Sequence, residues 1–328
     1  MNDVAGGSVA AAAVSVRRTT REVQFISRPG AGDIYAALTV PLDVDPAQLV
    51  LCCQPPFDEH SRAYPVMREF ARRLLARGIG MLRFDYFGSG DSAGQSDEFS
   101  MHSAIADTSF LLSWLAARFP ATRIVPMGVR LGGRFLLDAL AAQSGAIAAR
   151  VTKPILWDPV LDARDFIFTE LRSTLGGSMM VYQAQVASRE DIIRETLDHG
   201  FCERGGFKLN QIDGHAVSAD LLRQAGFGAA GDNGGASDKG GASDNGATSD
   251  KGATSDRGGW SYREPVVALV TLRPGGNADR QRSKLAAALP NMEFDSVQDI
   301  PYWNQPPIYK QVREPLFALT EEILERCR

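Results

Sequence analysis

The most constraining stretch of this 328-residue chain is a short apolar strand that runs through glycines straight into a helix. Arg123-Ile124-Val125-Pro126-Met127 reads as the strand, Gly128-Val129-Arg130-Leu131-Gly132 as a sharp turn, and Gly132 to Ala142 as the helix. A backbone can turn this abruptly only where the residues beside the apex are small, because it passes close to itself. A strand followed at once by a helix that packs back on it is a unit of a parallel sheet. The turn therefore requires similar units on either side.

The flanking sequence supplies them. Glu22 to Ile26 and Ile34 to Val40 read as two strands, an antiparallel entry hairpin. Gln48 to Cys53 is an apolar run ended by Pro55-Pro56, as expected of a buried strand. Tyr64 to Arg77 places Val66, Met67, Phe70, Leu74 and Leu75 on one helical face, and Gly78 stops it. Its arginines Arg68, Arg72, Arg73 and Arg77 read as a solvated face. Ile79 to Phe84 is the next strand, Met101 to Arg118 a helix, and Thr152 to Trp157 a further strand. This alternation predicts an α/β fold, a mostly parallel sheet with helices on both faces. Ligands in such sheets bind at the carboxyl ends of the strands. Here those ends are Gln54 to His60, Asp85 to Asp91, the sharp turn, and Asp158 onward.

The alternation breaks after Asp158. Val160 to Ala225 is mostly helical, strand pattern returns at Val266–Leu272 and Met292–Val297, and Val312, Leu316, Leu319 and Ile323 mark a closing helix. Strand, glycine, apex residue, leucine, two glycines and helix together form the nucleophile-elbow pattern of the α/β-hydrolase fold. In that fold an insertion at this point is a lid. The expected organisation is a leader over 1–18, a core of 19–158 and 260–328, a helical lid over 159–228, and an insertion over 229–259. The insertion is a slipped repeat of Gly-Ala-Ser-Asp and Gly-Ala-Thr-Ser-Asp units, with no apolar side chain larger than alanine. It cannot bury enough surface to offset its ordering entropy, so disorder is expected.

Composition narrows the partners. A formal net charge of −4 gives no reason to expect nucleic acid or an anionic membrane. No apolar stretch is long enough to span a bilayer. Cys52, Cys53, Cys202 and Cys327 form neither a disulfide framework nor a zinc site, so no metal or other cofactor is expected. A cytoplasmic location is the simplest reading. The oligomeric state is left open.

The chemistry departs from the pattern at its centre. A serine hydrolase carries serine at the apex of the elbow, and here the apex is Arg130. A guanidinium stays protonated and cannot attack a carbonyl. The acid position after the seventh strand holds Leu272-Arg273-Pro274-Gly275-Gly276, and the base position after the last strand holds Asp299-Ile300-Pro301-Tyr302-Trp303. None of the histidines, His60, His102, His199 and His215, lies there. The sequence thus argues against a Ser-His-Asp mechanism. An arginine at a helix N-terminus favours an anion instead. Two readings stay open: Arg130 pairs internally with Asp85 or Asp158, or it anchors a ligand anion. The expected ligand-binding set is Arg130, Leu131, Gln54, Pro55 and Asp85. Secondary catalytic candidates are Asp158 as an acid, Cys53 as a nucleophile, and His215, the one histidine of the expected lid able to swing over the site. Gly88-Ser89-Gly90 reads as tight turning rather than a phosphate cradle.

Several of these segments together resemble a known family. Gln54-Pro55-Pro56-Phe57-Asp58-Glu59, Asp85 to Ser92, the Gly128 to Gly132 elbow, Leu156-Trp157-Asp158-Pro159-Val160, Ile212-Asp213-Gly214-His215 and Pro301 to Pro307 are similar to the exosortase A system-associated hydrolases of the second type. The resemblance implies a bacterial α/β-hydrolase domain linked to exopolysaccharide and exosortase loci, with the elbow arginine as a family trait. The repeat insertion is extra, and a biosynthetic cluster is an equal alternative setting. Three functions follow: a pseudoenzyme binding an acyl or anionic small molecule, a hydrolase or acyltransferase of non-standard mechanism acting on an ester or thioester, or a partner-binding scaffold.

Overall fold

The computed structural model describes residues 19–182, 187–212, 214–228, 264–299, 301, 303 and 313–326. The expected leader over 1–18, the repeat over 229–259 and Cys327 lie outside the described residues.

The elements, in chain order, are β1 (Thr19–Arg28), β2 (Gly32–Pro41), β3 (Gln48–Cys53), α1 (Asp58–Ala76), β4 (Gly80–Phe84), α2 (Met101–Arg118), β5 (Arg123–Val129), α3 (Gly132–Ala141), α4 (Gly145–Ala148) and β6 (Ile155–Trp157). Then come α5 (Ala163–Tyr182), α6 (Arg189–His199), the two-residue strands β7 (Glu203–Arg204), β8 (Phe207–Lys208), β9 (Gln211–Ile212) and β10 (His215–Ala216), and α7 (Ala219–Gln224). The chain closes with β11 (Val266–Leu272), α8 (Ala278–Ala286), β12 (Met292–Gln298) and α9 (Glu314–Arg326).

Eight strands form one sheet in the order β1-β2-β4-β3-β5-β6-β11-β12. Only β1–β2 and β2–β4 pair antiparallel, and every other neighbouring pair is parallel. The sheet's two faces build two cores. Along β3, Leu49, Leu51 and Cys53 enter one core while Val50 and Cys52 enter the other, the alternation a pleated strand imposes. The first core takes Leu111, Leu112 and Leu115 of α2 and Phe135, Leu136 and Leu137 of α3. The second takes Met67, Phe70 and Leu74 of α1 and Phe317, Ile323 and Leu324 of α9.

Three departures from expectation have physical causes. Helix α1 starts at Asp58 rather than Tyr64. Its first turn is polar, Asp58-Glu59-His60-Ser61, so it lacks the apolar period while its acids suit the helix dipole. Helix α8 was not expected: among its residues only Leu285 is buried, so no apolar stripe announces it. The arginine face of α1 is not simply solvated. Arg73 and Arg77 both pair with Glu321 of α9, which is 2% exposed, and tie the first helix to the last.

Candidate functional site

The sharp turn is built as its glycines demand. A Cβ on Gly128 would collide with the Gly133 backbone, and one on Gly132 with the carbonyl oxygens of Cys53 and Gln54. Arg130 sits at the apex with φ 54°, a left-handed conformation strained for a side chain of this size. The strain is held by the neighbouring strand: the Arg130 N–H donates to Trp157 O at 2.9 Å, and Arg130 O accepts from Gly133 N–H at 3.1 Å and Val160 N–H at 3.2 Å. Phe57 after β3 (φ 61°) and Asp158 after β6 (φ 45°) are also left-handed. Among the described residues these three are the only non-glycine residues with positive φ, and all lie at the carboxyl ends of adjacent strands β3, β5 and β6.

The Arg130 side chain pairs internally, but with neither expected carboxylate. Its Nε and Nη2 donate to Glu59 Oε1 at 3.0 and 2.9 Å, and its Nη1 donates to the main-chain oxygen of Asp158 at 3.2 Å. The guanidinium carbon lies 4.5 Å from the ring centroid of Trp303. Trp303, from the segment after β12, thus covers the arginine with an aromatic face. Trp303 is fixed in turn by Arg62 Nη1, which donates to its main-chain oxygen at 2.6 Å. Glu59 is buried, and its Oε2 has no hydrogen-bond partner among the described residues.

Asp158 turns away from Arg130. Its Oδ1 accepts from Thr271 N–H at 2.6 Å and its Oδ2 from Thr271 Oγ1 at 2.9 Å. Burial pushes its carboxyl up to about 7, offset in part by the Thr271 bonds and Arg130 and reinforced by Glu59. Asp85 turns to the opposite side. Its Oδ1 lies 3.1 Å from His60 Nε2, and its Oδ2 accepts from Asp91 N–H at 2.9 Å. A Cβ on Gly90 would collide with the Asp85 carboxylate, so the glycine loop serves tight turning around that group.

The other expected residues divide. Gln54 is buried beneath His60, its Nε2 donating to Phe84 O at 3.3 Å and lying 3.2 Å from His60 Nε2. Pro55 and Leu131 are buried beside it at the strand ends. Cys53 is wholly buried, 3.8 Å from Thr108 Oγ1, and burial raises its thiol well above the ordinary range, which is unfavourable to a nucleophile. His215, on β10, lies edge-on to Phe57 with ring centroids 6.2 Å apart. It lines a small cavity with Phe57, Gly88, Ser89 and Phe99, and Arg130 is not among the residues around that cavity. Sequence reasoning missed Glu59 and His60. The available signal was an acid and a base side by side just beyond a strand's carboxyl end. No group of three or more metal-ligating side chains occurs among the described residues.

No protein-family model matches the chain, and no curated protein matches it. Solved structures do. Est1E from Butyrivibrio proteoclasticus with ferulic acid bound superposes with a TM-score of 0.57 at 15% identity, covering 93% of this chain and 98% of that one. DcsB, in complex with its substrate analogue, gives 0.53 at 11% identity, with 94% and 100% covered. Alpha/beta hydrolase domain-containing protein 10 from mouse gives 0.51 at 14% identity, again with 94% and 100% covered. The fold is the α/β-hydrolase fold, and at these identities the likeness is one of fold. Among the described residues no helix is long and apolar enough to cross a membrane.

Proposed function

We propose that this α/β-hydrolase-like protein forms no acyl-enzyme and binds a small anionic molecule, an acyl compound bearing a carboxylate, at its elbow arginine. One observation carries the reading. Of five guanidinium N–H groups, Arg130 commits three, one each from Nε, Nη1 and Nη2. One N–H on each terminal nitrogen has no partner among the described residues, and the side chain is 17% exposed. Glu59 and Trp303 fix the plane of the group in advance, so a ligand meets a donor pair that loses little freedom on binding. The start of α3 lies beneath it and favours negative charge.

The segment from α5 to α7 serves in this reading as a lid on the site. A link to exopolysaccharide and exosortase loci rests on the segment resemblance alone. Free, buried Cys52, Cys53 and Cys202 support a reducing compartment. The test is calorimetric titration with hexanoate and with hexanamide, its neutral counterpart. Wild type should take up hexanoate and not the amide. Arg130→Lys keeps the charge and loses the fork, and should weaken hexanoate about 10- to 100-fold, as expected for one lost charge-assisted bond. Equal uptake of acid and amide, or an unchanged affinity in Arg130→Lys, refutes the reading. A serine-directed fluorophosphonate should label nothing.

A further inference from the structure

The chain lacks a histidine after its last strand, yet it holds a histidine–carboxylate pair elsewhere on the same edge of the sheet. The geometry points to His60, oriented by Asp85, as a general base acting on a water beside the Arg130 anion site, in the direct hydrolysis of a carboxylate-bearing ester or thioester. This rests on the anion-binding reading above, which supplies the grip on the substrate.

The placement follows from the topology. β3 lies between β4 and β5, and α1 begins just beyond the end of β3. Consecutive residues of the first turn of α1 then reach opposite ways. Glu59 bonds to the apex of the turn after β5, and His60 to Asp85 just after β4. The two flanking strands are two spacings apart, about 10 Å, so an anion on Arg130 and a reacting group beside His60 fit within one short substrate.

The pair is built as an acid–base pair should be. Asp85 is 6% exposed and His60 is 18% exposed. Asp85 Oδ2 is held by Asp91 N–H at 2.9 Å and its main-chain oxygen by Ser92 Oγ at 2.6 Å, so the carboxylate cannot swing away. An anionic oxygen 3.1 Å from His60 Nε2 favours the tautomer with its proton on that nitrogen. Gln54 Nε2 approaches the same nitrogen at 3.2 Å, but a charged acceptor outcompetes an amide donor there. Nδ1 then keeps its lone pair, and it makes no hydrogen bond to any described residue.

In the step, His60 Nδ1 takes a proton from water as the water oxygen bonds to the substrate carbonyl carbon, and the carbonyl electron pair moves to oxygen. The tetrahedral species collapses, the bond to the alkoxide or thiolate leaving group breaks, and the imidazolium returns its proton to that group. The products are a carboxylic acid and an alcohol or thiol, with His60 regenerated and no covalent intermediate.

The full chain is assayed with mono(4-nitrophenyl) glutarate, which carries a carboxylate, and with neutral 4-nitrophenyl butyrate. Wild type should hydrolyse the glutarate above the buffer rate, with a solvent deuterium isotope effect above unity. His60→Ala should lose about 100-fold or more in kcat, and added imidazole should restore part of it. His60→Gln, closer in shape, should be as slow, with thermal melts of both variants reporting folding. Asp85→Asn should lower kcat and leave KM unchanged, as a positioning residue requires. Glutarate turnover no faster than buffer, or full activity in either His60 variant, overturns the inference. If hexanoate still binds in an Arg130-dependent way, the anion-binding reading survives that failure. Butyrate turned over as well as glutarate and indifferent to Arg130→Lys, with His60 still required, would sink the grip on the carboxylate and leave the base.

Discussion

Replacing Arg130 by serine puts serine at the apex of the elbow and removes the cation with which Glu59 pairs. In the folded chain Glu59 is 6% exposed and Arg130 17%, so neither group is well placed to recover its solvation from water. After the change Glu59 Oε1 loses both its donors, while Oε2 already has none among the described residues. Removing one partner of such a buried pair costs about 3–5 kcal/mol. The lost contact with the Trp303 ring adds about 0.5–1 kcal/mol. At roughly 2 °C per kcal/mol for a chain of this size, the melting temperature should fall by about 7–12 °C. Glu59→Gln, which removes the carboxylate's charge, should cost less, and the Arg130→Ser, Glu59→Gln double variant should recover at least about 2 kcal/mol of the serine variant's loss. Denaturant unfolding of the four proteins gives that coupling energy directly. A coupling under about 0.5 kcal/mol, or a serine variant that melts with wild type, would refute the claim that this pair holds the elbow.

Three further outcomes are expected. Gly132→Ala should abolish soluble, folded protein, because its methyl group would meet two backbone oxygens that cannot move without displacing β3; a normal melting curve for this variant would contradict the packing of the turn. Asp158, raised to about 7 from an ordinary 3.8, holds a proton when folded that the unfolded chain releases between about pH 4 and 7. Stability should therefore fall as pH rises through that window, by at most about 4 kcal/mol from this group. Asp158→Asn, able to keep both Thr271 bonds, should flatten that slope, although Asp107, pushed up to about 6 mainly by burial, keeps some of it. Stability curves at pH 5 and pH 8 decide the matter. Replacing residues 229–259 by a short Gly-Ser link should change stability by no more than about 1 kcal/mol, and a cooperative loss of folding in that variant would show that the repeat packs.

Much of the fold was legible because its signals are local. β3, α2 and β11 fall at the residues their apolar periods mark, and the elbow is a run of five residues whose glycines state their own reason. Arg130 could be named from that run alone. Its partner could not, because Glu59 lies 71 residues away and belongs to a polar first turn that looks like loop. Asp85 and Asp158 were the natural guesses, being acids that end neighbouring strands. Position on a strand end does not fix direction, and Asp85 is spent on His60 and Asp158 on Thr271. Trp303 stood in the right loop for a role at the elbow, but only packing reveals that it covers the arginine.

The clasp between α9 and the elements made before it sets an order of events during synthesis. Gln48 at the start of β3 donates to Leu324 O, Trp157 Nε1 to Thr320 Oγ1, Arg73 holds Glu321, and Trp303 closes over Arg130. Glu59 and Arg130 leave the ribosome before Trp303 and α9, and can meet while those are still unmade. At about 5–20 residues per second, Trp303 and α9 follow Arg130 by roughly ten to forty seconds. During that interval the Phe70 and Trp157 face of the sheet has no α9 to cover it, and the elbow arginine has its carboxylate but not its aromatic cover. α9 therefore closes a face that earlier strands and helices have already built, and Trp303 comes to cover an arginine whose carboxylate partner was made long before it.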